Sequence, residues 1–173
     1  MRRSTARFFN GIVSAIIVVF FLAHGTLGGI SALTGFAGSL VVLVWCGVAL
    51  IGVHVVASIV TSREQLVDRE HPPSVRKKRH LALKWATGCL LAVVACVHIF
   101  GPRLFGEAFV QSPLVNALVI VVLSTALAVH LCVGSKSLLK DLEIDRRFKS
   151  AFRVMVCAFA VFFAVATLVG ALM

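Results

Sequence analysis

LVNALVIVVLSTALAVHLCVGSKSLLKD, residues 114–141, contains no Lys, Arg, Asp or Glu from Leu114 to Ser135 and then turns charged at Lys136. A helix rises about 1.5 Å per residue, so this run covers the roughly 30 Å of hydrocarbon in a bilayer and stops where a polar surface would begin. It reads as a transmembrane helix. One residue fits that setting poorly: His130, six positions ahead of the first charge.

Working outward, the same test finds four further spans, at roughly 8–30, 38–61, 84–101 and 151–172. The 173 residues are 60% hydrophobic and only 14% charged, which leaves too little polar surface for a water-soluble domain. Lipid offers no partner for backbone amides, so the spans must be helices. The expected fold is all-α, a single integral membrane five-helix bundle over residues 1–173.

The charges sort by side. The N-terminus carries Arg2, Arg3 and Arg7, the connection from Arg63 to Lys84 holds seven basic residues, and that from Lys136 to Arg153 holds six, together 16 of the 17. Only Arg103 lies on the opposite side. Positive residues stay inside, so the N-terminus and both charged connections are expected in the cytoplasm and the C-terminus outside. The same asymmetry explains the net charge of +10 without nucleic acid as a partner. A start of MRRSTAR before an apolar run also suits a signal peptide cleaved near Ala23, but the run is long for one and carries a histidine that matches a later one.

Gly28, Gly29, Gly35 and Gly38, and the pairs Gly101-Pro102 and Ser112-Pro113, mark the expected outer turns, with Pro113 in the first turn of span four. His71-Pro72-Pro73 followed by Arg76-Lys77-Lys78-Arg79 reads as a surface loop, with His71 and His80 solvated. Cys46, Cys89, Cys96, Cys132 and Cys157 fall inside spans and form no CxxC pair, so they read as small apolar residues and leave no CxxCH for covalent haem.

An ionisable side chain inside a span is expensive and calls for a function. His24 lies about 26 Å of helix from Arg7 and His98 about 21 Å from Lys84, both in the outer half. His54 lies about 14 Å from Arg63 and His130 about 9 Å from Lys136, both in the inner half. Two histidines at one depth on different helices can take one iron from opposite faces of a porphyrin, and the sequence supplies two such pairs. The levels differ by roughly 12 Å of helix rise, close enough for electron transfer between two b-type haems. Gly25, Gly52, Gly101 and Gly134 each stand within four residues of a proposed ligand and are expected to give the ring room. Zinc suits the pattern less well, because no carboxylate or cysteine completes a tetrahedral set at either depth.

The stretch HLCVGSKSLLKD (residues 130–141), together with Arg7, Gly11 and His24 in span one, resembles the cytochrome b membrane-anchor subunits of succinate dehydrogenases and fumarate reductases, in their single-chain, five-span, two-haem form. The resemblance implies that His24 and His98 bind the outer of two haem b groups and His54 and His130 the inner one. Ser137 and Asn10 depart from it, standing where many or some members have a further histidine. It also implies an iron–sulfur subunit and a flavoprotein subunit docked on the cytoplasmic face of a prokaryotic inner membrane. A membrane quinone, expected to be menaquinone, would react within the bilayer. The chain itself has neither a dinucleotide fingerprint nor a cysteine cluster, so any dicarboxylate chemistry belongs to those partners.

Candidate quinone contacts are Glu107 and Arg103 on the outer side, with Gln111 and Asn116 near them, and Arg7, Asn10, Ser14, Lys84 and Trp85 on the inner side. Two other readings keep the spans. One is a cytochrome b anchor for a hydrogenase, a formate dehydrogenase or another flavoprotein reductase. The other is a small transporter, for which broken helices or mid-span acids would be expected and are not evident.

Overall fold

The computed structural model describes residues 5–35, 41–67, 73–106, 112–145 and 147–172. Its regular elements are five helices: α1 (Thr5–Thr34), α2 (Val41–Leu66), α3 (Val75–Phe105), α4 (Pro113–Asp141) and α5 (Phe148–Leu172). Each is long and apolar enough to cross a membrane, one for each expected span. Large apolar side chains point outward all round the bundle, with Val19 67%, Val42 75% and Val93 62% exposed. Such a surface would aggregate in water, and it is the surface of a multi-pass membrane protein.

Several helices run past the spans read from hydropathy, which corrects three expected turns. Arg76–Arg79 are not a loop: they form the first turns of α3, opened by Ser74, whose hydroxyl accepts from the Lys77 amide at 3.3 Å. Lysine and arginine are good helix formers, so charge marks where lipid ends and not where the helix does. Gly28 and Gly29 lie within α1, and Gly101-Pro102 within α3, which runs on to Phe105. Pro102 has no amide hydrogen for the carbonyl of His98 four residues earlier, so the helix loses one bond there yet continues. The turns come later, at Gly35 (φ 69°) and Gly106 (φ 74°), where a positive φ suits glycine. Ser112 caps α4 with Pro113 in its first turn, as expected. At the other end of α4, Glu143 takes the left-handed position (φ 60°) while the Ile144 amide reaches back to the Leu139 carbonyl at 2.9 Å.

Neighbouring helices alternate in direction. On α1 and α2, Ser14 meets His54 at 3.2 Å, and Phe20 closes over Gly47. On α3 and α4, Lys84 meets Ser137 at 3.0 Å and Thr87 meets His130 at 3.1 Å. The start of α1 and the α2–α3 and α4–α5 connections therefore share one end, the basic end; the α1–α2 and α3–α4 connections share the far end. Helix α5 runs parallel to α1, with Phe163 over Gly25 and Gly170 against Ala32, and it packs most extensively on α4. Helices α2 and α3 approach at few points, and among the described residues no Cα atom of α1 comes within 8 Å of one in α3, nor of α2 within 8 Å of one in α4. Helices α1 to α4 thus surround an axis, with α1 opposite α3 and α2 opposite α4, while α5 covers the groove between α1 and α4 from outside.

Candidate functional site

Held apart at α2 and α3, the four helices enclose a cavity of about 290 Å³ in the half of the bundle nearer the basic end. His54 from α2 and His130 from α4 face it from opposite sides of the axis and interact electrostatically across it. Each ring has a hydroxyl partner. His54 Nδ1 lies 3.2 Å from the Ser14 hydroxyl on α1, and His130 Nδ1 lies 3.1 Å from the Thr87 hydroxyl on α3. Gly88 makes the second contact possible, since a Cβ there would come within 3.1 Å of His130 Cε1.

Toward the basic end the cavity wall turns polar, with Asn10, Ser58, Ser62, Lys84, Ser137 and Asp141. Asn10 is 8% exposed, and its Oδ1 accepts from Ser58 at 3.4 Å. Trp85 Nε1 donates to Ser62 at 3.1 Å, tying α3 to α2 where the helices otherwise part. Lys84 donates to Ser137 and feels the charges of Asp141 and Arg7. Arg7 in turn pairs with Asp141 at 3.5 Å, and a Cβ at Gly11 would press on the Asp141 side chain at 3.2 Å, so α1 and α4 approach closely here. Of the expected inner contacts, Asn10, Ser14, Lys84 and Trp85 line the cavity and Arg7 reaches it through Asp141.

The other pair sits farther along. His24 on α1 and His98 on α3 are electrostatic neighbours across the same axis. The cavity lining stops at Phe21 and Ala95, each about one helical turn short of them. The His24 ring stacks on Phe20 at 6.1 Å and 5° between planes, and its Nδ1 is buried without a hydrogen-bond partner. Arg103 is exposed on the last turn of α3 and Asn116 is half-buried in the first turn of α4. Glu107, Gln111 and His71 lie outside the described residues.

Two of the four glycines expected to admit a ring do something else or nothing here. A Cβ at Gly25 would strike the Phe163 ring at 2.6 Å, so Gly25 serves α1–α5 packing, and Gly52 meets nothing within 4 Å. Gly134 lines the cavity and Gly101 is buried in α3. The sequence reading missed Thr87, Gly88 and Asp141 as parts of the site. Thr87 and Ser14 share one available signal, a hydroxyl in an apolar run at the depth of the inner histidines.

Among the described residues no three or more His, Cys, Asp or Glu side chains gather as a metal site. Compared with family models, with curated proteins and with solved structures, the chain gives no match.

Proposed function

We propose that the chain is a two-haem cytochrome b that anchors a quinone-linked oxidoreductase, with His54 and His130 as axial ligands of a haem near the basic end and His24 and His98 as those of a second haem toward the far end. The observation that carries this reading is the pairing. Four histidines within apolar helices, one on each of the four helices around the axis, are electrostatic neighbours two by two across the bundle, each pair on its own diagonal. Such a pair is what a six-coordinate haem iron requires, whereas zinc would need more ligands at each level.

The residues present suit the group. His54 and His130 approach one cavity from opposite walls, and Gly88 leaves the His130 ring room. Lys84 and the Arg7–Asp141 pair put cations where propionates or a quinone oxygen would meet the membrane surface. When bound, the haems supply one-electron chemistry. The protein holds the ligand rings at fixed depth and surrounds them with low-dielectric aliphatic walls.

By charge asymmetry the basic end faces the cytoplasm and the C-terminus faces outward, and the resemblance implies a prokaryotic inner membrane. On the resemblance to succinate dehydrogenase and fumarate reductase anchors, the cytoplasmic partners are an iron–sulfur subunit and a flavoprotein subunit, and electrons pass between them and menaquinone. The test is co-purification of the full chain with its partners from native membranes, followed by assay of succinate oxidation and fumarate reduction with quinone analogues. A haem-containing complex with neither activity would leave the cytochrome and remove the dicarboxylate assignment.

A further inference from the structure

The hydroxyls that touch the two basic-end histidines are not free to play either role in a hydrogen bond. Ser14 Oγ lies 2.7 Å from the Asn10 carbonyl and 3.2 Å from His54 Nδ1. Thr87 Oγ1 lies 2.9 Å from the Leu83 carbonyl, 3.1 Å from the Lys84 carbonyl and 3.1 Å from His130 Nδ1. A hydroxyl has one proton, and a carbonyl oxygen can only accept. The shortest contact in each set is to a carbonyl of the hydroxyl's own helix, so the proton goes there. Toward the imidazole the oxygen can then only accept, which requires a hydrogen on Nδ1. A neutral imidazole carries one N–H, and Nε2 is left with its lone pair.

We propose that Ser14 and Thr87 are positioning residues that hold His54 and His130 in the same tautomer, Nδ1 protonated, so that each presents an Nε2 lone pair to the cavity between them. Only the identity of what those lone pairs bind rests on the haem reading above. The two hydroxyls stand on different helices, α1 and α3, yet do the same thing to histidines on α2 and α4, so the arrangement is made twice. Turning either hydroxyl around would put a hydrogen on Nε2, and a ring in that state cannot ligate a metal through Nε2. An Nδ1–H that donates to an oxygen also makes Nε2 more basic and fixes the ring plane. At the far end His24 Nδ1 has no hydrogen-bond partner, so nothing equivalent selects its tautomer.

The test has two arms, both on the full-length chain in lipid. In chain labelled with 15N-histidine and prepared under haem limitation, 15N NMR is expected to show protonated Nδ1 and bare Nε2 for His54 and His130. Ser14→Ala should disturb His54 alone and Thr87→Val His130 alone, while Ser14→Thr and Thr87→Ser, which keep the hydroxyl, preserve the pattern. In haem-loaded protein, Thr87→Val is expected to weaken retention of the basic-end haem about tenfold and to raise its midpoint potential, because a less basic imidazole stabilises ferric iron less. The far-end haem should not move. A hydrogen on Nε2 of either ring in the wild-type chain overturns the proposal even if no variant folds. Unmoved basic-end potentials in both hydroxyl-deleting variants overturn it as well, and in either case the haem reading stands. Wild-type chain that shows the stated tautomers but takes up no haem keeps the proposal and ends the haem reading instead.

Discussion

At the basic end, His54 and His130 are each gripped by a hydroxyl and share a cavity with Asn10, Lys84, Trp85 and Asp141. At the far end, His24 leans on the ring of Phe20 with a buried, unpartnered Nδ1, about one turn beyond that cavity. The two levels hold the same residue type in different ways. Near the basic end, polar side chains from four helices satisfy one another, and the histidines are oriented before any ligand arrives. Toward the far end His24 is oriented by ring stacking, and its buried Nδ1 goes unsatisfied at a cost of about 1–3 kcal/mol. The basic-end histidines are therefore the better oriented of the two pairs.

Replacing histidines is expected to give the largest effects. His54→Ala or His130→Ala is expected to remove the basic-end haem and leave the other, and His24→Ala or His98→Ala to do the converse, read as haem-to-protein ratio by pyridine haemochrome. Loss of both haems from a stably folded single variant would deny that the levels are separate.

Next in size is Asp141→Asn. It leaves Arg7 and Lys84 without their carboxylate in a partly buried setting, and a loss of about 2–3 kcal/mol is expected, seen as a lower melting temperature in detergent. An unchanged melting temperature would mean that the polar end is solvated and not a packed network.

Two glycines sharpen the contrast further. Gly25→Ala drives a methyl into Phe163 and should cost about 1–2 kcal/mol without altering the basic-end haem, with Phe163→Leu restoring stability. Gly88→Ala meets His130 at 3.1 Å and should cost about 1 kcal/mol while shifting the basic-end alpha band. Equal spectral effects from the two would erase the distinction between packing and site glycines.

The smallest effect concerns how the ends are closed. The far end uses glycine at its positive-φ positions, Gly35 and Gly106, while the basic end uses Glu143. Glu143→Gly should therefore stabilise the protein by about 0.5–1 kcal/mol in thermal unfolding, and destabilisation would show that the Glu143 side chain matters more than its backbone.

The five spans were legible because a bilayer imposes a length and a polarity on every helix that crosses it. Helix ends were not, since Arg76–Arg79 and Gly101-Pro102 sit where lipid ends but intrahelical bonding continues. Depth along each helix was readable from a constant rise, which is why the sequence groups His24 with His98 and His54 with His130, the same pairs that are electrostatic neighbours across the axis. The order of helices around that axis was not readable. A helix apolar on all sides does not announce which face meets lipid, so neither the position of α5 nor the use of Gly25 against Phe163 could be foreseen. Thr87 and Gly88 were missed because they look like ordinary helix residues until register places them against His130.

Whether the two histidine pairs hold haem decides between this reading and every other. The most direct measurement is the dithionite-reduced minus oxidised absorption spectrum of the full-length chain, purified from cells with ample haem, followed by a redox titration. A b-type alpha band that titrates in two steps, with the basic-end component lost in His54→Ala and the far-end component lost in His24→Ala, is the expected result. A folded chain with no alpha band would contradict it.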